Sequence, residues 1–217
     1  ITVWIHGAEV QPWWRRQYNY QTPERLDEAK RTSELRINFW REILSHHPNL
    51  MRFVFVSNYF AHEVMEDVGI TLDPAAYEII HNPVDTELFS YQEKDPEQRK
   101  KILSIRPYAS RKYANDLSVD AVLKLSNESF FNELEFKFIG DGMLFDATLS
   151  PIKHFKNVSI ERRFLNQKEI SELHKKYGIF LCPTRMDAQG VSKDEAMSSG
   201  LVPVTNAVAA IPEFVDK

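Results

Sequence analysis

After residue 100 the chain alternates short β-branched runs with amphipathic stretches, and this pattern leaves few folds open. The runs fall at Ile102–Ile105, Glu135–Ile139, Val158–Ile160, Ile179–Cys182 and Val202–Thr205. Helical patterns lie between them, near Ala114–Ser126, Leu144–Leu149, Gln167–Tyr177 and Val191–Ser199. Strands that alternate with helices pair in parallel through right-handed crossovers, so this half is read as a parallel sheet covered on both faces.

The first ninety residues repeat the theme less completely. Ile1–His6 and Met51–Val56 read as buried strands and Tyr77–Ile80 as a short strand. Thr22-Pro23-Glu24 supplies a capping hydroxyl, a proline at the first helical position and an early acid. Leu26, Ala29, Ser33, Ile37, Trp40 and Leu44 then share one face of a helix that runs to about Ser45. A second helix runs from Asn58 to Val68 and stops at Gly69. Gly7–Gln21, with its aromatic-basic WWRRQYNY stretch, reads as a loop, and His81–Asp85 as a turn. The charged segment Tyr91–Lys100, with Pro96, marks a boundary between domains at 1–92 and 101–217; a solvated loop within one domain is the competing reading.

Composition narrows the function classes. The chain has 217 residues, 43% hydrophobic and 27% charged, which suits one large core or two small ones. A net charge of −4 offers no footprint for nucleic acid. Cys182 has no partner for an internal disulfide, which fits a reducing compartment. No apolar run approaches the roughly 20 residues of a membrane span. The chain opens on ITVWIH without an initiator Met and closes on EFVDK, so it reads as a fragment of a longer polypeptide.

Ligands of open parallel sheets bind beyond the carboxyl ends of the strands, so the candidates lie there. The first strand of the second half ends at Arg106, followed by Arg111 and Lys112; cations in one such loop suit a diphosphate, although surface loops hold cations for other reasons. Gly140-Asp141-Gly142 follows the next strand, either to admit a ligand or as a plain tight turn. The fourth strand runs into Met186-Asp187-Ala188-Gln189-Gly190, and a helix opens at Val191 with free N–H groups and a positive dipole end. Asp187 and Glu195 bracket this start with seven residues between them, and carboxylates beside a phosphate site accept from sugar or ribose hydroxyls. Asp194 reads as a solvent-facing neighbour. His6 at the end of the first strand is structural or functional; Trp13, Trp14, Tyr18 and Tyr20 stack on acceptor sugars, meet a membrane interface beside Arg15 and Arg16, or simply pack. His46-His47 before Pro48 looks like a helix end, no metal site is indicated, and no D-x-D occurs.

The segment TRMDAQGVSKDEAMSSGLVPVTNAVAAIPEFV resembles the acid, seven residues, Glu-Ala-Met pattern of the retaining glycosyltransferases of the GT-B fold, the large family 4 or group 1 transferases. KILSIRPYASRKYANDL, FKFIGDGM, VSIERRFLNQKEISELHKKYGIFLCPTR, FVFVSNYF, IIHNPVDTELF and ITVWIHGAEV resemble further segments of that family in the same order. The resemblance implies two Rossmann-like α/β domains facing across a cleft, the N-terminal one incomplete. It implies that Arg106 with Lys112 or Arg111 holds the donor diphosphate and that Glu195 binds the ribose. The Gly142 turn, the backbone of Phe164 and Leu165, and the N–H groups of Gly190 and Val191 would contact phosphate, base and sugar. Asp187 and His6 would lie near the transferred sugar as catalytic residues. Four features depart from the pattern: Asp187 replaces a Glu, Gln189-Gly190 replaces an aromatic-Gly pair, Pro83 replaces a Gly, and the family's arginine-to-lysine spacing is one residue shorter, so Arg111 competes with Lys112 for the phosphate.

The function implied is metal-independent transfer, with retention, from a nucleoside diphosphate sugar to a sugar, lipid-linked sugar or other hydroxyl acceptor in polysaccharide or glycolipid assembly. No cofactor beyond the sugar-nucleotide substrate is implied. The expected location is cytoplasmic, with peripheral membrane contact at its inner face. The alternative is an inactive sugar-nucleotide-binding scaffold module.

Overall fold

The computed structural model describes residues 1–46, 48 and 50–215. The chain forms two compact units. The first comprises Ile1–Asn82, Met186–Gly190 and the described part of Ala207–Lys217; the second comprises Pro83–Arg185 and Val191–Asn206.

In the first unit β1 (Thr2–Ile5), β2 (Arg52–Phe55) and β3 (Tyr77–Ile79) form a parallel sheet in the order β1-β2-β3. Its register sets Val3 beside Phe53 and Phe53 beside Tyr77. The long helix α1 (Pro23–Ser45) is capped by the Thr22 hydroxyl, which accepts from Arg25 N at 3.4 Å. Ala29, Ser33, Ile37 and Leu44 are buried along the expected face, with Leu26 and Trp40 half-buried at its margin. Helix α2 (Asn58–Val68) starts under the Ser57 hydroxyl and stops where Gly69 turns left-handed at φ 74°. Phe53, Phe55, Phe60, Val64 and Val68 are fully buried between sheet and helices, each removal of such a side chain from water stabilising by about 1.5–3 kcal/mol. His47 lies outside the described residues, while His46 sits 3.3 Å from Glu42 on the last turn of α1.

The stretch expected as a plain loop differs. Residues Trp13–Asn19 form a 3-10 helix. Arg15 anchors it to Asp67 (2.9 Å) and Glu66 (3.0 Å) of α2, and Gln11 Nε2 donates to the buried Glu63 at 2.9 Å. These partners stand about fifty residues away in sequence, so no local pattern reveals them.

The second unit holds β4 (Lys101–Ile105), β5 (Glu135–Gly140), β6 (Val158–Arg162), β7 (Ile179–Leu181) and β8 (Val202–Val204), all parallel, in the order β6-β5-β4-β7-β8. Helices α3 (Asn115–Leu125), α4 (Phe145–Leu149), α5 (Gln167–His174) and α6 (Val191–Ser198) connect them. Alternate residues of each strand face opposite cores. Ile102, Phe136 and Phe138 pack with Val119 and Val122 of α3, whereas Leu103, Ile139 and Phe180 pack with Ala196 of α6 and Leu201. Helix α5 ends three residues before the expected Tyr177, because the chain tightens there (Lys176 N to Leu173 O, 2.9 Å) and the Tyr177 side chain is buried in the second unit's core, its hydroxyl donating to Glu135 at 3.0 Å. The charged segment 91–100 belongs to this unit, and its Lys94 ammonium is buried on the carbonyl of His174 at 2.7 Å. A short helix α7 (Ile211–Phe214) returns to the first unit. Among the described residues no helix is long and apolar enough to cross a membrane.

Candidate functional site

The strand order of the second unit reverses direction at β4: the chain moves outward through β5 and β6, then restarts on the other side with β7 and β8. That switch point opens a crevice at the carboxyl ends of β4 and β7. Arg106 occupies it. Only 5% of Arg106 is exposed, and its Nε and Nη2 are buried without a hydrogen-bond partner among the described residues. Its Nη1 donates to Ser192 Oγ, in the first turn of α6, at 3.0 Å. A buried guanidinium with two unsatisfied nitrogens is costly unless an anion completes it.

Lys112 joins Arg106 through a residue that sequence reasoning passed over. The Tyr113 ring carries the Arg106 guanidinium 5.0 Å from its centroid and the Lys112 ammonium 5.6 Å away. The turn that presents Lys112 and Tyr113, Arg111–Tyr113, is braced from the segment after β7: Arg185 N and Thr184 Oγ1 donate to Lys112 O at 2.8 and 3.2 Å. The Arg185 guanidinium pairs in bidentate fashion with Asp116, at 2.7 and 2.6 Å, which holds that carboxyl below its usual range. Ala114, the next residue, takes a left-handed φ of 47° to enter α3. Arg111 is exposed and lines a separate cavity of about 300 Å³ against α3 and the Leu144–Pro151 region. The two cations left as alternatives at the sequence level thus have different surroundings.

Beside Arg106 lies a small pocket of about 110 Å³ walled by Ile105, Pro107, Gly140, Asp141, Arg163, Phe164 and Leu165. The fold therefore brings Arg106, Phe164 and Leu165 together. Phe164 is 76% exposed, so its ring is free to meet a planar ligand. Gly142 does not line this pocket. Its φ of 142° and a Cβ that would meet Ala109 N at 2.3 Å show that the glycine is required by the passing chain after β4.

Glu195 lies half-buried in α6, and burial, reinforced by the neighbouring Asp194 charge, raises its carboxyl above the usual range. Asp194 corrects the sequence-based expectation: it does not face solvent but pairs with the Lys193 ammonium, of which 2% is exposed. A lysine on the first turn of a short helix has no burial signal in sequence; the surrounding layers impose it.

The acid loop has a different allegiance from the helix it precedes. Met186–Gly190 belongs to the first unit, and α6 from Val191 onward to the second, so Asp187 and Glu195 are parts of different units. Met186 and Ala188 are buried in the first unit's core. Ser57 Oγ donates to Ala188 O at 2.6 Å and Ala210 N to Asp187 O at 3.2 Å. Gln189 bonds Asn82 just beyond β3. His6 follows β1, so it stands at the same carboxyl edge of the three-stranded sheet as Ser57 and Asn82. Its ring stacks on Trp4 at 5.9 Å, and its backbone N–H donates to Glu9.

No protein-family model matches the chain, and no curated protein matches it. Solved structures do. WaaG, a glycosyltransferase involved in lipopolysaccharide biosynthesis, superposes with a TM-score of 0.70 at 16% identity, covering 98% of this chain and 58% of WaaG. TarM gives 0.69 at 14% identity, covering 98% of this chain and 37% of TarM. The pneumococcal O-GlcNAc transferase GtfA, in complex with UDP and GlcNAc, gives 0.64 at 16% identity and covers all of this chain but 39% of GtfA. The chain has the α/β fold of the GT-B glycosyltransferases, with parallel sheets of three and five strands. It spans little more than half the length of WaaG and less of the others.

Proposed function

We propose that this chain forms the sugar-nucleotide-binding part of a retaining glycosyltransferase that moves a sugar from a nucleoside diphosphate sugar to a hydroxyl acceptor in polysaccharide or glycolipid assembly. The observation that carries the reading is Arg106: a guanidinium at a switch point, nine-tenths buried, with two unpartnered nitrogens beside the start of α6. A diphosphate satisfies it, and the Tyr113 platform favours Lys112 over Arg111 as the second cation. Phe164 and Leu165 then receive the base and the half-buried Glu195 accepts from the ribose hydroxyls. GtfA, solved with UDP and GlcNAc, supports this ligand class.

In the transfer the bond from the anomeric carbon to the diphosphate oxygen breaks, and the acceptor oxygen bonds that carbon on the same face. The acceptor proton passes to the departing phosphate. Arg106, Lys112 and the free N–H groups at Val191 stabilise the charge that develops on the leaving group. Asp187 and His6 act toward the sugar. Isothermal calorimetry with UDP, GDP and ADP against the matching nucleosides tests the reading. A diphosphate bound no more tightly than its nucleoside would remove it, and binding without turnover of any sugar donor would leave the scaffold alternative.

A further inference from the structure

The end of the loop that carries Asp187 is held by the side chain of Gln189. Gln189 is 4% exposed, and its amide grips Asn82 at three points. Oε1 accepts from Asn82 N at 2.7 Å and from Asn82 Nδ2 at 3.0 Å, while Nε2 donates to Asn82 O at 3.0 Å. Only one orientation of the amide does this, because a flipped group would set its NH2 against two donors and its oxygen against a carbonyl. The chemistry demands an acceptor and a donor side by side, which an amide offers, a carboxylate offers by half, and an aromatic ring not at all.

The consequence concerns Asp187, two residues earlier. Beyond Gln189 the chain turns at Gly190 with φ 90°, a conformation that glycine adopts without strain, and at once enters α6 of the other unit. The grip at Gln189 ties the last residue before that turn to Asn82, just beyond β3, at the sheet edge that also bears His6. Met186 and Ala188 in the core, and the bond from Ser57 to Ala188 O, secure the rest of the loop.

We propose that Gln189 is a positioning residue: by clasping Asn82 it makes Asp187 part of the first unit's framework and sets where the acid meets the transferred sugar. This rests on the reading of Asp187 as a donor-sugar contact. It also accounts for the departure at Gln189 from the aromatic residue of the pattern, since the first unit places Asn82 opposite it.

The test compares Gln189→Ala, Gln189→Glu and Asn82→Ala in the 217-residue chain. Amide hydrogen exchange over residues 186–191 reads the anchorage. Affinity for UDP, GDP and ADP, and release of diphosphate from UDP-glucose, UDP-N-acetylglucosamine, GDP-mannose and ADP-glucose, read function. Gln189→Ala should speed loop exchange at least about tenfold, leave diphosphate affinity within about twofold and lower kcat on the order of 100-fold, with KM for the donor little changed. Asn82→Ala should do less, because two of the three bonds use its backbone, and Gln189→Glu should fall between. Unchanged exchange in Gln189→Ala overturns the proposal, as does faster exchange with kcat intact. A loss of diphosphate affinity as large as the loss of kcat also overturns it, by showing general damage. If Gln189→Ala does not fold, the smaller graded effect of Asn82→Ala decides. If the wild-type chain, which spans little more than half the length of WaaG, consumes no donor, exchange and diphosphate affinity alone decide whether Gln189 holds the loop.

Discussion

Arg106 and Lys112 both lie against the Tyr113 ring, and that geometry separates charge recognition from base recognition. Arg106→Ala and Lys112→Ala should each weaken binding of nucleoside diphosphate, by about 1.5–3 kcal/mol per charged hydrogen bond lost, and spare the nucleoside. Equal losses for both ligands in calorimetry would remove the phosphate role. The two acids should divide in the same way. Glu195→Gln should lower affinity for the nucleotide whatever sugar it carries, since a half-buried carboxylate is the stronger acceptor. Asp187→Asn should leave diphosphate affinity intact and slow turnover of the sugar donor, and Asp187→Glu should also slow it if the shorter side chain suits this donor. Steady-state kinetics beside calorimetry checks both acids. Unchanged affinity in the first and unchanged turnover in the second would make their spacing incidental. These residues were legible in sequence because they follow strands, where ligands of parallel sheets bind. Tyr113, Ser192 and Asn82 were not, because their importance lies in what faces them.

At the scale of elements, caps and tight turns account for much of the second unit. Helix α5 begins with a complete capping box: Asn166 Oδ1 accepts from Glu169 N at 3.0 Å, and Glu169 returns a carboxylate to Asn166 N at 2.9 Å. Asn166→Ala should cost about 1 kcal/mol in urea unfolding of this unit. A change below about 0.3 kcal/mol would mean that water replaces the cap at no cost. The turn after β5 is less forgiving. A methyl on Gly142 would approach Ala109 N at 2.3 Å in a backbone conformation that side chains rarely adopt. Gly142→Ala should therefore destabilise by at least about 2 kcal/mol, with the loss visible as a lower unfolding midpoint. A midpoint equal to wild type would show that the chain after β4 can move aside. The strands and longer helices were readable from local pattern; what that pattern missed was the 3-10 helix at Trp13–Asn19, fixed by acids of α2, and the early end of α5, where Tyr177 is buried.

At the scale of the whole molecule, pH should act through a buried histidine. His174 is 1% exposed, lies between Phe89 and Phe180, and bonds Ser199 Oγ at 3.1 Å. Burial, aided by the nearby Lys94 charge, lowers its pKa from 6.5 to about 4. The unfolded chain thus binds this proton more readily than the folded one. Its contribution to stability is complete above about pH 6.5 and is lost as pH falls toward 4, at up to about 1.4 kcal/mol per pH unit. His174→Leu should flatten the stability of the second unit across that window, and an unchanged slope would place the acid sensitivity elsewhere. The sequence by itself determined that two series of strands and helices build parallel sheets, and which strand ends carry cations and acids, because apolar period and strand-to-helix order are local properties. Only the tertiary structure decided that the Asp187 loop goes with one unit and the Glu195 helix with the other. It also decided that Lys193 and Lys94 are buried and that Arg106 keeps two unpartnered nitrogens. Those outcomes depend on which distant backbone or ring fills the space beside a side chain, and packing sets that after the elements have formed.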